Sequence, residues 1–305
     1  MIITSPVEFL AAVGTLTPLR NPRATARAAF LVAPAANELA AESARDNRYM
    51  RMDVGFDATR ALVQHAALAQ ALRADVPVVT FPGEPANPDA MFPNNVFATA
   101  PGRFIVARMR HAVRQREAER GDIRGFFRDV LHYEEIDLSS GDRGVAELTG
   151  SLVIDHARGV GYCGLSERCD MDGARAMHDA FGLRLMFCFE LAQGEYHTNV
   201  VMASLAGRAV ILASDGFADP AVPHAIAQAY GGHVLRISNE QKRAYAANAI
   251  TLSPDRVWMS TRAAASLDDA GRATLAEWGF AVGAVELSEI EKAGGSLRCC
   301  VGEIF

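Results

Sequence analysis

Two adjacent cysteines near the end of the chain are the first candidates for chemistry. Cys299 and Cys300 lie in the stretch LRCCVGEIF, which follows a Gly-Gly-Ser bend and reads as a short apolar strand. A disulfide between neighbouring cysteines closes a small, strained ring, so the two thiols are not expected to bond to each other. They are therefore either small buried residues or the position of a nucleophile, since a thiolate attacks electrophilic carbon readily.

The overall composition excludes several classes of partner. Hydrophobic residues make up 50% of the 305 residues, and the formal net charge is −6. An acidic chain has no electrostatic bias towards nucleic acid, and no run approaches the roughly 20 apolar residues that span a bilayer. The start of the chain, MIITSPVEFL, lacks the pattern of a signal peptide. We expect a cytoplasmic protein with a small-molecule substrate, no nucleic-acid or membrane partner, and a homodimer as one permitted assembly.

The cysteine count and the absent motifs also argue against a bound metal or cofactor. The other cysteines are Cys163, Cys169 and Cys188, which makes an odd total of five in a long chain. Such a count does not indicate a disulfide framework. The sequence contains no CxxC pair, HExxH helix, GxGxxG loop or GxxxxGK[ST] loop, so neither a metal site nor a nucleotide loop is predicted.

A hairpin pattern recurs along the chain and sets the expected architecture. Each copy has a small polar residue, an apolar run, a Gly, Pro or Asp turn, an arginine and a second apolar run. Copies recur at about 50 residues, a spacing typical of repeat folds. The polar residues that open successive units are Asn95, Ser151, Asn199, Asn248 and Cys299. In a repeat closed on itself these five residues converge on one central pocket, whereas an ordinary open α/β sheet would keep them apart.

Amphipathic segments between the hairpins predict helices, so that each unit reads as hairpin, helix, strand. Asp219-Pro220 and Ser266 are predicted helix starts, and glycines 182, 231 and 279 are predicted stops. The stretch FLVAPAANELA supplies the first of five units. No linker divides the chain, so residues 1–305 are expected to form a single domain. The arginine-rich segment 108–129 alternates with acidic residues and predicts a solvated helix face.

Five motifs in a fixed order resemble the superfamily of arginine deiminases and amidinotransferases, whose members modify guanidino groups. The motifs are PDAMFPNNVFAT, ELTGSLVID, GLSERCD, EYHTNVVMA and GGSLRCCVGEIF. The resemblance spans residues 30–305 and is strongest to citrulline ureidases and arginine dihydrolases, with dimethylargininases as more distant relatives. It implies a five-bladed α/β propeller, or pentein, built of ββαβ repeats.

The resemblance also implies roles for three residues. Cys299, directly after the Gly-Gly-x-x-Arg run, matches the nucleophile, and Cys300 falls on the opposite face of the strand. His197 matches the histidine that protonates the leaving ammonia and then activates water. Glu147 matches the carboxylate that orients this histidine. Asp155 and Asp142 lie near it in sequence and are weaker candidates.

Other positions match substrate-binding residues of this superfamily. Arg168 resembles an arginine that clamps the α-carboxylate of the substrate, a task that suits a guanidinium fork. Asp89 matches an acidic substrate-contacting position of dimethylargininases, and Ser151 opens its unit near the expected pocket.

Amides replace the acids that arginine deiminases direct at the substrate cation. Asn94 and Asn95 occupy an acidic motif, and Asn199 replaces an aspartate. A buried guanidinium without a countercharge is costly, whereas a ureido group needs only hydrogen-bond partners. We therefore expect a C–N hydrolase of citrulline or arginine that releases ammonia. Amidinotransferase or dimethylargininase activity, and a non-enzymatic ligand- or ribosome-binding propeller, are the alternatives.

Overall fold

A computed structural model describes residues 1–20, 22–141 and 144–305, and sixteen strands form in these ranges. The predicted hairpins are present, because each Gly, Pro or Asp punctuation falls between two paired strands. The strands are β1 (Ile2–Ile3), β2 (Ala28–Val32), β3 (Val78–Phe81), β4 (Phe97–Ala100), β5 (Arg103–Val106), β6 (Glu134–Asp137), β7 (Leu152–Asp155), β8 (Val160–Leu165), β9 (Leu185–Glu190), β10 (Met202–Leu205), β11 (Ala209–Leu212), β12 (Val234–Arg236), β13 (Ile250–Ser253), β14 (Arg256–Ser260), β15 (Ala281–Val285) and β16 (Gly302–Ile304).

The strands form five small sheets with one repeated pattern, in which an antiparallel pair is followed by a parallel third strand. The sheets are β4-β5-β6, β7-β8-β9 with β1 added at its edge, β10-β11-β12, β13-β14-β15 and β16-β2-β3. The fifth sheet pairs the last strand with an early one, since Gly302 lies opposite Phe30. The ββαβ unit read from the sequence is therefore observed four times as a continuous segment, and a fifth time with its first strand supplied by β16.

Helices connect the second and third strands of each unit, as a parallel crossover requires. The predicted stop at Gly182 is the left-handed C-cap of α6, with φ of 63°. The prediction of a helix start at Ser266 was wrong, because this residue ends α10 and Asp268 is the N-cap of α11. The helices are α1 (Pro6–Gly14), α2 (Ala58–Leu72), α3 (Ala112–Gln115), α4 (Gly121–Gly125), α5 (Leu148–Ser151), α6 (Met171–Phe181), α7 (Thr198–Val201), α8 (Ala221–Ala229), α9 (Asn239–Arg243), α10 (Thr261–Ser266) and α11 (Asp269–Glu277).

Short helical turns precede the first strands of four units and carry the polar residues predicted to converge. Besides α5 and α7, these turns are the 3₁₀ helices Pro93–Asn95 and Leu297–Cys300. The strand predicted for the two cysteines was therefore wrong, since only residues from Gly302 onward pair with β2. Residues in a 3₁₀ helix lie about 120° apart, so the two thiols still point in different directions.

Hydrogen bonds join each of these turns to the next along the chain. Thr149 Oγ1 donates to the Asn94 carbonyl at 3.0 Å, and Thr198 Oγ1 donates to the Ser151 carbonyl at 2.6 Å. Asn248 Nδ2 donates to the Asn199 carbonyl at 3.0 Å, and the Cys299 N–H donates to Asn248 Oδ1 at 3.4 Å. Segments about 50 residues apart in sequence are thereby held at one place.

The arginine-rich segment departs from its prediction. Residues 108–129 form α3, the 3₁₀ helix Arg116–Glu119, α4 and the start of a π-helical turn at Phe126–Val130. Arg114 and Glu117 are buried rather than solvated. Among the described residues, no helix is both long and apolar enough to cross a membrane, and no group of His, Cys, Asp and Glu is arranged to hold a metal ion.

Candidate active site

A small cavity forms where the turns meet. Its free volume of about 20 Å³ holds one or two water molecules. It brings together four sequence-predicted residues, Cys299, His197, Asp89 and Arg168, and one of the predicted amides. The lining residues are Ser43, Asn47, Asp89, Phe92, Asn95, Arg114, Arg168, Tyr196, His197, Ala293, Gly295 and Cys299.

The thiol of Cys299 lies between two amide groups. Asn248 Nδ2 is 3.3 Å and Asn199 Nδ2 is 3.7 Å from Sγ, and both can donate a hydrogen bond to a thiolate. Burial raises the pKa of Cys299, and the backbone at Ser296 and the two amides offset only part of that increase. The group is therefore a neutral thiol at neutral pH, poised to ionise when a favourable charge enters the cavity.

Cys300 occupies a different environment. It is fully buried, its Sγ lies 3.5 Å from the Ser296 carbonyl, and burial raises its pKa well above the usual value. It is absent from the cavity lining, so only the first of the two adjacent thiols faces the space where a substrate could react.

His197 and Glu147 form a buried pair directly before α7 and α5. Nε2 of His197 is 2.9 Å from Oε2 of Glu147, which leaves Nδ1 as the nitrogen available for reaction. Burial alone would raise the pKa of Glu147, but Arg168 and His197 outweigh it and the pKa is lowered. Burial lowers the pKa of His197 despite this carboxylate. The histidine is thus a neutral base whose protonated form Glu147 stabilises.

Gly150 makes room for this arrangement in α5. A Cβ at this position would lie 2.5 Å from Asn95 Oδ1 and 2.8 Å from His197 Nδ1. Real Cβ atoms do not approach polar atoms so closely. The glycine therefore lets the turn of one unit pass beside the imidazole of the next.

Arg168 is already saturated with partners. Its Nη1 donates to Glu147 at 3.1 Å, and its Nε and Nη2 donate to Asp46 at 2.9 and 2.5 Å. Nη2 also donates to the Ser43 carbonyl. Two of these partners, Ser43 and Asp46, belong to residues 40–51, which we call the 40–51 loop. Arg168 can bind a substrate carboxylate, as predicted, only if this loop releases its guanidinium.

The 40–51 loop closes the cavity from one side. Arg48 and Tyr49 both bond to the buried carboxylate of Glu195, which precedes Tyr196 and His197. Asn47 Nδ2 donates to the Gly294 carbonyl at 3.3 Å, on the segment that leads to Cys299. The loop therefore touches the elements that carry both the imidazole and the thiol.

Arg114 was missed by sequence reasoning as a lining residue. Its guanidinium forms a buried ion pair with Glu117 at 2.8 Å and donates to the carbonyls of Asp89 and Phe92. These bonds fix the backbone that presents Asp89 and Asn95. The available signal was the Arg-x-x-Glu spacing, which on a helix can pair two charges.

Three buried acceptor atoms on residues that line the cavity have no bonding partner among the described residues. They are Asp89 Oδ1, Asn95 Oδ1 and His197 Nδ1. Asp89 accepts from Ser43 Oγ at 2.5 Å through its other oxygen, and burial raises its pKa despite the nearby Arg114. Buried acceptors without donors are costly, so we expect water or a ligand that carries N–H or O–H groups to bond to them.

The remaining predicted residues lie behind the cavity wall. Asn94 is buried and its carbonyl accepts from Thr149, while Ser151 Oγ donates to the Arg168 carbonyl at 3.3 Å. Asn199 donates to the Thr149 carbonyl as well as approaching the Cys299 thiol.

One of the two weaker carboxylate candidates is described by the structure and is not part of this arrangement. Asp155 pairs with Arg158 at 2.6 Å in the turn between β7 and β8. Asp142 lies outside the described residues.

Comparison with known proteins assigns the chain to a family. The sequence model described as N,N dimethylarginine dimethylhydrolase, eukaryotic, matches residues 33–305. The chain belongs to this family. The predicted membership among guanidino-modifying enzymes is therefore confirmed, and no curated protein sequence matches the chain significantly.

Solved structures share the fold of this family member at low sequence identity. One is the N-terminal domain of ArgZ bound to substrate, an arginine dihydrolase from the ornithine–ammonia cycle in cyanobacteria. It is 18% identical, with a TM-score of 0.79 over 91% of this chain and 97% of the other. A second is dimethylarginine dimethylaminohydrolase as an adduct with 4-chloro-2-hydroxymethylpyridine, at 22% identity, TM-score 0.70, and coverage of 92% and 100%. The mixed α/β fold matches both.

Proposed function

We propose that this chain hydrolyses C–N bonds of a guanidino amino acid through a covalent intermediate on Cys299. The observation that carries the proposal is the shared cavity, in which the Cys299 thiol and the His197 imidazole meet unpartnered acceptors of Asp89 and Asn95. A thiol beside a base that a carboxylate orients is the arrangement that nucleophilic catalysis requires. Family membership and the arginine dihydrolase and dimethylarginine hydrolase folds support the same reaction class.

The acceptors favour arginine as the group that enters first. A guanidinium carries only N–H donors, and Asp89 Oδ1, Asn95 Oδ1 and His197 Nδ1 would each receive one. Its positive charge would also favour the thiolate of Cys299. A ureido group brings an acceptor oxygen that the Asp89 carboxylate opposes, unless burial keeps that carboxyl protonated.

The amides support a second hydrolysis of the bound product. Asn95 presents no formal charge to the ureido group that forms when arginine loses ammonia. Burial raises the pKa of Asp89 and so favours its neutral form, which can donate a hydrogen bond to the ureido oxygen. The proposed sequence is therefore arginine to citrulline, and citrulline to ornithine, ammonia and carbon dioxide.

The proposed first hydrolysis begins when the thiol proton passes to His197 Nδ1 and the Cys299 sulfur bonds to the guanidino carbon. The protonated imidazole then gives its proton to the departing nitrogen, which leaves with the electrons of the broken C–N bond. Water loses a proton to His197 and its oxygen bonds to the same carbon, so the sulfur departs with the C–S electrons. Glu147 stabilises each imidazolium that forms.

The size of the closed cavity bears on substrate entry. A free volume of about 20 Å³ holds water but no molecule of amino-acid size. The 40–51 loop therefore has to open for the substrate to enter.

The five sheets support a single propeller domain. β16 lies beside β4, β7 beside β10, and β10 beside β13, so three pairs of first strands from successive units are neighbours. Hydrogen bonds between the segments before the strands link the unit of β4 to that of β7, and the unit of β13 to that of β16. We place the cavity on the shared axis of five blades. The five free thiols fit a reducing cytoplasm, and a homodimer stays a prediction.

The test is turnover of a substrate panel by pure protein. Arginine, citrulline, agmatine, methylarginines and succinylarginine are incubated separately, and ammonia, methylamines, urea, citrulline and ornithine are quantified. We expect arginine to give citrulline and ornithine without urea. Methylamine release from methylarginines alone would instead assign the dimethylargininase reaction.

Two cysteine variants separate the nucleophile from its neighbour. Cys299→Ala is expected to lose all turnover, because no other thiol of the described chain lines the cavity. Cys300→Ala is the matched control and should keep most activity, since its sulfur faces the interior. Loss of activity to the same extent in both variants, with both folded, would contradict the assignment.

A further inference from the structure

A second, larger cavity borders the 40–51 loop and is lined mainly by cations. Its free volume is about 440 Å³, within the range of small-molecule sites. The basic residues that line it are Arg48, Arg51, Arg243, Arg262 and Lys292. We call this space the basic cavity. Its one acidic lining residue, Glu291, is buried and bonds to Ser296 Oγ at 2.7 Å.

The positive charge of the basic cavity is only partly balanced. Arg48 pairs with Glu195, Lys292 with Glu289, and Arg262 with Glu291. Arg51 and Arg243 are exposed, and neither forms an ion pair with any residue that the structure describes. Two unpaired arginines in one concave site, on a chain of net charge −6, create a local field that attracts anions.

Two tyrosines give the basic cavity an aromatic wall. The rings of Tyr49 and Tyr245 lie 5.6 Å apart, and the guanidinium of Arg262 sits 5.6 Å from the Tyr245 ring centre. Tyr245 is buried with φ of 66°, a left-handed conformation that costs energy for a residue with a Cβ. Backbone strain of this kind persists where the surrounding structure holds the residue in that conformation, and here it fixes the position of the Tyr245 ring.

From this geometry we infer that the basic cavity binds a small organic polyanion that carries phosphate or several carboxylate groups. Arginine forks hold such oxygens in pairs, and their charge is less screened in a concavity than on an open surface. The site is separate from the catalytic cavity but adjoins it, since the consecutive residues Asn47 and Arg48 line one each.

The proposal is tested by isothermal titration with citrate, inorganic pyrophosphate and ATP, and with acetate as a monovalent reference. We expect one-to-one binding of at least one polyanion, weakened by added sodium chloride. The Arg51→Glu/Arg243→Glu variant should bind at least about tenfold more weakly, the ratio that corresponds to ~1.4 kcal/mol. The Cys299→Ala variant should bind as the wild type does, which separates this inference from the proposed reaction.

An exposed arginine elsewhere provides the matched control. Arg128 is exposed and pairs with its neighbour Asp129 outside the basic cavity, so Arg128→Glu should leave binding unchanged. Arg51→Gln/Arg243→Gln, with circular dichroism as the folding check, replaces the charge reversal if that variant does not fold. The inference is overturned if no polyanion binds more tightly than acetate, or if loss of both arginines leaves the dissociation constants unchanged.

Discussion

Cys299 is held by amides rather than by a cation, and this determines how its reactivity should respond to pH. Because its pKa is raised, little thiolate is present at neutral pH, and the fraction grows as pH rises. Asn248 and Asn199 lower the pKa by donating to sulfur. Their loss should therefore move ionisation to still higher pH.

The rate of alkylation by iodoacetamide, measured against pH in the Cys300→Ala background, checks this expectation. We predict that Asn248→Ala shifts the midpoint upward by about one pH unit, the equivalent of one hydrogen bond to a charged group. Asn239→Ala, at an exposed asparagine, is the control and should not shift it. A midpoint that moves downward in Asn248→Ala would contradict the role given to this amide.

The absence of a side chain at Gly150 fixes the position of the His197 imidazole. Gly150→Ala places a methyl group within 2.8 Å of His197 Nδ1, so the ring has to shift from its position beside Gly150. We predict a loss of about 100-fold in kcat, the size expected for a misplacement near 1 Å. Gly14→Ala has no atom within 4 Å of its added Cβ and should leave kcat unchanged. Steady-state kinetics with arginine measure both, and an active Gly150→Ala would refute the crowding argument.

At the level of secondary structure, the helical turns carry the site residues and the arginine-rich segment 108–129 holds one of these turns in place. Arg114 in α3 reaches the carbonyls before Asn95, and its ion-pair partner is the buried Glu117. Burial raises the pKa of Glu117 to about 7 even beside this guanidinium. The pair is thus a structural clamp with a large penalty for losing one member.

Urea unfolding measures that penalty. We predict that Arg114→Met lowers the free energy of unfolding by about 3–5 kcal/mol, because an unpaired carboxyl is left in the interior. Arg114→Met/Glu117→Leu should recover part of the loss. Arg128→Met removes an exposed ion pair and should have no measurable effect. Equal stability of Arg114→Met and the wild type would show that the clamp is dispensable.

The hairpins could be predicted because their turns and apolar runs are local, as in the pair β10 and β11. The turn that carries Cys299 could not be predicted, because LRCC has the pattern of an apolar strand. Its helical turn is held by a hydrogen bond to Asn248, which is distant in sequence. The burial of Arg114 could not be predicted either, because alternating charges occur both on solvated helix faces and in buried ion pairs. The contact of Asp46 with Arg168 joins residues far apart in sequence and has no local signal.

For the molecule as a whole, the five linked units predict a single cooperative transition. Hydrogen bonds pass from turn to turn, so loss of one unit removes partners from its neighbours. We expect urea curves from far-ultraviolet circular dichroism and from the fluorescence of Trp258 and Trp278 to coincide. Both tryptophans belong to the unit of β13–β15. An earlier fluorescence transition would show that this unit unfolds separately and that residues 1–305 are not one domain.

The pairing of β16 with β2 bears on biosynthesis. While the chain is being made on a ribosome, β2 emerges early, yet its antiparallel neighbour is translated only after the four intervening units. The edge of β2 is meanwhile open to chaperones or to another nascent chain. Cys299 is made just before that neighbour, so we expect a ribosome-bound intermediate to lack the proposed pair of thiol and imidazole.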